Sequence, residues 1–454
     1  MFFSLVKNKN FMRLWITQTL SQTESTIVDF SVALFFAKVA LDPAMANSGL
    51  GESATAIVFA LQYLPALPAA LIAGVIADIF DRRTLMLATN IFRSVFLLLF
   101  VFAADAGPQL YIFVLVMAVC MHTYDVYEKA TLRNVVTEEQ LGLATGLFLF
   151  TLNATTLIGV VVAGILVQNL PGLHAIFLSG AAFFVIASIV IYGLPKNINN
   201  FHVDHYEQNE NILVDTSRAF KKITTSLKQS FDYLISKPPV WISVVLATVV
   251  QTVTLMIASV SFYYGEQVVH ISLDQVSVFL LIPIAMGMAI GGGINSFFTK
   301  RFGYRRLVNF SWFIASILLF VLGMIGFITQ GLRVGVTFEF ILFEALIVIM
   351  GVFVTLIQSP ALELIQKFAD PKVRGRVFGI LVGATNTIAG ILVAISSILV
   401  ADLKARGFIV FLSILLLTGL FLFQFVLRKF LGNKDYTEYV DPAGSVLQNQ
   451  NKLI

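Results

Sequence analysis

The stretch GVIADIFDRR, residues 74–83, places four charges in its last six positions, between two runs that are almost entirely apolar. Working outward from it, the chain has 454 residues, of which 58% are hydrophobic and only 12% charged. Its mean hydropathy is +0.87. Soluble domains carry about 25% charged residues, so this composition excludes a water-soluble globule and implies an integral membrane protein.

Apolar runs of about 20 residues, each long enough to cross about 30 Å of hydrocarbon as a helix, fall at 11–39, 54–77, 84–104, 110–132, 143–168 and 174–194. They resume at 240–264, 277–298, 308–328, 336–359, 377–400 and 407–427. The expected fold is therefore all-α, with twelve transmembrane helices. With the N-terminus placed in the cytoplasm, 25 of the 30 Lys and Arg residues fall in inside segments, Lys38, Arg333, Lys404 and Arg406 fall outside, and Arg93 falls within a helix. Cationic residues near span ends stay on the cytoplasmic side, so both termini are expected there. The first span is too long for a signal-peptide core and is read as helix 1.

The lone cysteine, Cys120, rules out an intramolecular disulfide. The chain has no Gly-Lys dipeptide and no HExxH, which argues against a P-loop ATPase and against that class of metal site. Neither an enzyme nor a bound cofactor or metal is expected.

The chain also repeats. KNKNFMRLW (7–15) is echoed by ISKPPVW (235–241), the turn ending at Arg83 by KRFGYRR (300–306), and TEEQLGLATGLF (137–148) by DPKVRGRVFGIL (370–381). Similar offsets imply two six-helix halves, 1–194 and 237–430, joined by a cytoplasmic linker over 195–236 and followed by a tail over 431–454. Parallel repeats of this kind suit a rocking-bundle transporter. Within the linker, 215–235 can form a basic amphipathic helix on the membrane surface. HVDHYE (202–207) is read as solvated linker rather than a metal site.

GVIADIFDRR resembles the loop between helices 2 and 3 of the major facilitator superfamily, through Gly74, Asp78, Arg82 and Arg83. Ile79 and Asp81 replace the family's usual Arg and Gly. Together with SFDYLISKPPVW, ATNIFRSVFLLLF, VTEEQL and DPKVRGRVFG, it is similar to the drug and siderophore exporter branch, which includes macrolide-efflux proteins and the enterobactin exporter. The resemblance implies efflux by antiport in a bacterial inner membrane, by a monomer. It also implies a latch in which Asp78 meets Arg374 or Arg376, and Arg82 meets Asp125 or Glu128. Gly159 and Gly164 resemble the family's glycine-rich antiporter motif, which here lacks its proline.

The residues themselves suggest where cargo and protons pass, because charge at bilayer depth costs about 3 kcal/mol on insertion scales. Gln18, Gln22, Ser25 and Asp29 share one face of helix 1, and Glu24 lies near the midplane off that face. Either Glu24 or Asp29 can carry a proton or serve as counter-charge to a cationic cargo; the alternative is a carboxyl paired with a polar neighbour. His122 and Asp125 on helix 4 suggest a proton relay, with Lys129 and Arg133 reaching toward water. Arg93 is expected to pair with an acid on a neighbouring helix, the alternative being contact with an anionic group of substrate or lipid. In the second half the candidate lining is Gln251, Thr252, Ser259, Glu344 and Asn386. Pro65, Pro68, Pro283 and Gly291–Gly293 are expected to bend or loosen their helices.

The favoured function is a secondary active transporter using alternating access, read as a proton-coupled exporter of a small amphipathic compound such as a drug or siderophore. A lysophospholipid or metabolite transporter, including an importer, is a second reading, and a non-transporting receptor or scaffold a third. The expected partners are a small-molecule substrate, protons and membrane lipid, with no nucleic acid.

Overall fold

A computed structural model of the chain describes residues 2–41, 54–102, 109–170, 173–196, 238–269, 279–280, 282–332, 336–368, 374–431 and 436. The helices are α1 (Phe2–Lys7), α2 (Lys9–Leu41), α3 (Ala54–Tyr63), α4 (Ala66–Ile79), α5 (Arg82–Val101), α6 (Gln109–Val135), α7 (Glu138–Asn169) and α8 (His174–Tyr192). They continue with α9 (Pro238–Gln267), α10 (Ile282–Phe302), α11 (Tyr304–Leu332), α12 (Val336–Phe368) and α13 (Arg374–Leu431). There is no strand among the described residues. The amphipathic segment 215–235 and HVDHYE lie outside the described residues, as does the tail apart from Tyr436.

Ten stretches among the described residues are long and apolar enough to cross a membrane. The other two expected spans lie in α2, which carries Glu24 and Asp29, and α7, whose apolar stretch Ala154–Asn169 is shorter. Helix α5 shows why these helices need lipid. It buries Arg83, Asn90, Arg93 and Ser94 and exposes Ile91, Phe92, Val95 and Leu99. Polar groups turned inward and apolar groups outward invert the arrangement of a soluble helix, and only a hydrocarbon surround rewards that.

Two compact units are present. The first comprises Met1–Leu227, Gln251–Ile282 and Val382–Phe408; the second comprises Lys228–Val250, Pro283–Leu381 and Ile409–Ile454. In the first, α2 packs on α7 and α8, α5 on α8 and α6, and α4 on α6. The α2–α7 contact is close because Gly159 leaves no side chain where a Cβ would lie 2.7 Å from Thr26 Cβ. In the second unit, Gly287 and Gly291 of α10 press against the α12 backbone around Val348–Val352, with Gly351 answering from α12. Small residues drive such packing because they let helix backbones approach.

The two signature turns differ in how they close. At the first, Asp81 caps α5, accepting from Thr84 N at 3.2 Å and Thr84 Oγ1 at 2.9 Å. At the second, Gly303 takes φ 77 and its N–H returns to Thr299 O at 2.9 Å, the left-handed helix stop that glycine permits. Arginines bind backbone carbonyls nearby, those of Tyr192 and Gly193 at the end of α8 and that of Ala130 inside α6. Arg82 donates to Ala130 O at 3.0 Å, Arg83 to Tyr192 O and Arg13 to Gly193 O. Arg82 therefore reaches an α6 carbonyl in this structure.

Three expectations about helix interruption are corrected. The span expected to end at 359 runs through Pro360 to Phe368, because neighbouring groups can answer the bond a proline removes from a membrane helix. Gly291–Gly293 do not interrupt α10, which is continuous from Ile282 to Phe302; Gly291 packs against α12, whereas Gly293 faces open space. Pro283 occupies the first turn of α10, where its missing N–H has no helical partner to lose. By contrast Pro65 does divide its span, with a turn at Leu64–Pro65 between α3 and α4. A second break, at Lys404 (φ 58, ψ 171), divides α13 into 374–403 and 405–431.

The glycine contacts give a paired expectation. Gly287→Ala places a methyl against Val348 O and should destabilise by about 1–3 kcal/mol, whereas Gly293→Ala enters open space and should leave stability unchanged or slightly raised. Thermal unfolding of the purified variants in detergent measures the difference.

Candidate functional site

The polar residues of α2 do not face lipid. Gln18, Ser21, Gln22 and Ser25 line a small cleft, closed by Arg93 of α5 and by Met121, Tyr124, Asp125 and Glu128 of α6. Its free space is about 10 Å³, room for about one water. The cleft lies wholly within the first unit.

The lining is held by bonds between helices. Gln18 Nε2 donates to Phe148 O of α7 at 3.1 Å, and Trp15 Nε1 to Thr151 Oγ1 at 2.7 Å. Asn90 Nδ2 donates to Ser21 Oγ at 3.4 Å, and Ser25 Oγ to Ser21 O at 2.6 Å. Arg93 is 1% exposed. Its Nη2 donates to Ser25 Oγ, and its guanidinium lies 4.0 Å from the Phe184 ring centroid and 6.0 Å from that of Tyr124. The expected acid partner is replaced by a hydroxyl and aromatic faces. A planar, weakly hydrated guanidinium tolerates such a site better than an ammonium would.

Two buried carboxyls here each leave one oxygen without a hydrogen-bond partner. Glu24 is 1% exposed and Glu128 3%, and Oε1 of each has no hydrogen-bond partner. Glu24 points away from the cleft face, as its position in the helix implies, and occupies the space that Gly180 of α8 leaves beside it. A side chain at 180 would displace the carboxyl. A buried ionised carboxylate oxygen with no answering donor is costly; among the described residues of this unit, Glu266 Oε2 on α9 is a third such oxygen, away from the cleft lining.

The other candidates are placed as follows. Asp29 is half-buried, and its backbone carbonyl accepts from Gln62 Nε2 at 3.3 Å. His122 is buried and its Nε2 meets Gln62 O at 2.9 Å; since a carbonyl only accepts, Nε2 carries the proton. Asp125 pairs with Lys129 at 3.0 Å, one turn along α6. His122 and Asp125 thus take separate partners. Gln251 and Asn386 are half-buried in the first unit, on α9 and α13. Thr252 is buried with Oγ1 unanswered, and Ser259 Oγ donates to Met256 O at 2.8 Å. Glu344 lies half-buried in the second unit, its Oε1 also unanswered. Of the latch residues, the side chains of Asp78, Arg374 and Arg376, like that of Arg133, lie outside the described residues. Gly74 has nothing within 4 Å of a Cβ position.

Sequence reasoning missed Asn90, Tyr124 and Gly180 as parts of the polar cluster. Asn90 stands three residues before Arg93 and was legible as the same helix face. Gly180 carries no local signal. Also unforeseen is a second polar cluster, where Asn295 Nδ2 and Tyr304 OH donate to the two oxygens of Glu363 at 2.8 and 3.1 Å. It ties α10 and α11 to α12 within the second unit.

Residues 14–394 match the Major Facilitator Superfamily. Over 380 residues, covering 83% of this chain and 84% of the relative, the sequence is 25% identical to the uncharacterized MFS-type transporter YfiS of Bacillus subtilis (strain 168). In fold it is similar to the solved D-xylose–proton symporter, with 13% identity, TM-score 0.66, and 94% and 98% of the two chains covered. It is similar also to a bacterial homologue of the human lysosomal transporter Spinster in an inward-facing, unoccupied conformation, at 12% identity, TM-score 0.66 and coverage of 93% and 97%. A POT family transporter in complex with a thioalcohol-conjugated peptide gives 13%, 0.68, 92% and 96%.

The setting of Arg93 predicts that Arg93→Lys lowers stability by about 1–3 kcal/mol, since the ammonium loses the ring stacking and the planar donor that reaches Ser25. Unfolding in detergent, with Arg93→Lys beside the unaltered protein, measures the loss.

Proposed function

The chain belongs to the major facilitator superfamily and is a transporter; from that premise we propose that it works by alternating access between two six-helix halves, 1–194 and 237–430, and that its cycle is coupled to protons through Glu24. The observation that carries this is the setting of Glu24. It is a membrane-depth carboxyl, 1% exposed, with Oε1 unanswered, held in a gap that exists because residue 180 is glycine.

A carboxyl in such a place is tolerable when neutral and costly when ionised. It suits a group that takes up a proton on one side of the membrane and releases it after water reaches it from the other. Glu128 supplies a second such carboxyl on the cleft. The cleft as it stands admits about one water-sized group, so it serves a proton or one polar atom of a cargo rather than the whole of an organic molecule.

Export of a small amphipathic compound, a drug or siderophore, is the direction and cargo we favour. Its support is the resemblance of GVIADIFDRR, SFDYLISKPPVW and DPKVRGRVFG to that exporter branch. The bias of basic residues supports both termini on the cytoplasmic side of a bacterial inner membrane.

Purified protein in sealed liposomes, challenged with cationic dyes, siderophores and lysophospholipids, tests the proposal. The expected result is a cargo-dependent proton flux that falls at least about ten-fold in Glu24→Gln and persists in Gly293→Ala. A flux of the same size in folded Glu24→Gln overturns the assignment of Glu24.

A further inference from the structure

The break between α3 and α4 frees backbone groups that the span cannot answer by itself. In an unbroken helix the carbonyl of Leu64 would accept from residue 68, but Pro68 has no N–H. The N–H of Leu67 would reach back to Tyr63, but the turn at Leu64–Pro65 intervenes. Pro65 stands at the cap position of α4 and provides no side-chain cap. Helix α5, by comparison, is capped by its own Asp81.

Both orphaned groups are answered by one hydroxyl from more than 300 residues away. Thr387 Oγ1 of α13 accepts from Leu67 N at 2.9 Å and donates to Leu64 O at 3.2 Å. Gly383, Thr387 and Gly390, at i, i+4 and i+7, form one face of α13 seated on the break. A Cβ at Gly390 would lie 2.7 Å from Leu64 N and 3.0 Å from Tyr63 C, and one at Gly383 would lie 3.2 Å from Leu67 Cδ1. The same break receives His122 from α6, on Gln62 O. All of these residues belong to the first unit.

Nearer the start of α3 the contact continues. Thr55 Oγ1 lies 3.0 Å from Tyr263 OH, and the rings of Phe30 and Phe262 are 5.3 Å apart.

We propose that Thr387 is a removable cap: its hydroxyl seats α13 on the proline-broken helix in this conformation, and water takes its place when α13 withdraws in the other half of the cycle. This rests on the alternating-access reading. A cap built into α4 itself would be made in every conformation and would favour none. A cap supplied by α13 exists only while the two are seated, so it stabilises one state. Because water answers the same two groups nearly as well, the cap adds a preference without locking the helix.

Hydrogen exchange of the full-length protein in detergent, read by mass spectrometry on peptides covering 60–70, tests this. Thr387→Val should exchange about ten-fold faster at Leu67 than the unaltered protein, and Thr387→Ser should restore the slow rate. Gly390→Leu keeps the hydroxyl but prevents seating, and should exchange as fast as Thr387→Val. Unchanged exchange in Thr387→Val or in Gly390→Leu, or exchange in Thr387→Ser as fast as in Thr387→Val, overturns the proposal. Should Thr387→Val fail to fold, the Gly390→Leu and Thr387→Ser results decide. Amide exchange is read independently of proton flux, so failure of coupling through Glu24 and failure of the cap are separate results.

Discussion

Inside hydrocarbon every polar group must find its answer within the protein, because no water is there to supply one. That constraint organises the chain at each scale. It makes the backbone of the spans helical, turns Asn90, Arg93 and Ser94 of α5 inward while Phe92 and Leu99 face out, and places Arg83 and Arg13 on the free carbonyls at the end of α8.

Two departures of opposite kind lie in the first unit. At the α3–α4 break, prolines strip the backbone of its own bonds, and side chains from other helices, His122 and Thr387, restore them. At Glu24 and Glu128 the carboxyls are buried and Oε1 of each lacks a hydrogen-bond partner. Arg93 hydrogen-bonds Ser25 and stacks on the Phe184 ring. A neutral group satisfied from a distance is suited to a contact that is made and unmade, whereas an acid without a donor is suited to a proton that comes and goes.

Most of the fold was legible because a single variable, hydropathy over about 20 residues, determines it. The break at Pro65 was legible too, since proline acts locally. What could not be read were matters of pairing. The aromatic partners of Arg93 come from α6 and α8, Gly180 meets Glu24 across helices, and Thr387 meets a residue 320 positions earlier; no periodicity encodes such meetings. Gly291 showed the same limit in reverse. Its composition suggested looseness, yet its neighbour on α12 makes it a point of tight packing. The apolar run 336–359 marks the span but not the helix end, since the helix continues through Pro360 to Phe368.

The central claim is that Glu24 changes its protonation as cargo is carried. Infrared difference spectroscopy of the reconstituted protein, with and without a transported compound, observes a carboxylic acid directly. The account predicts a change in the carboxylic C=O band on addition of cargo that is absent in Glu24→Gln. The same band change in Glu24→Gln, or cargo transport by the unaltered protein with no change in that band, would contradict it.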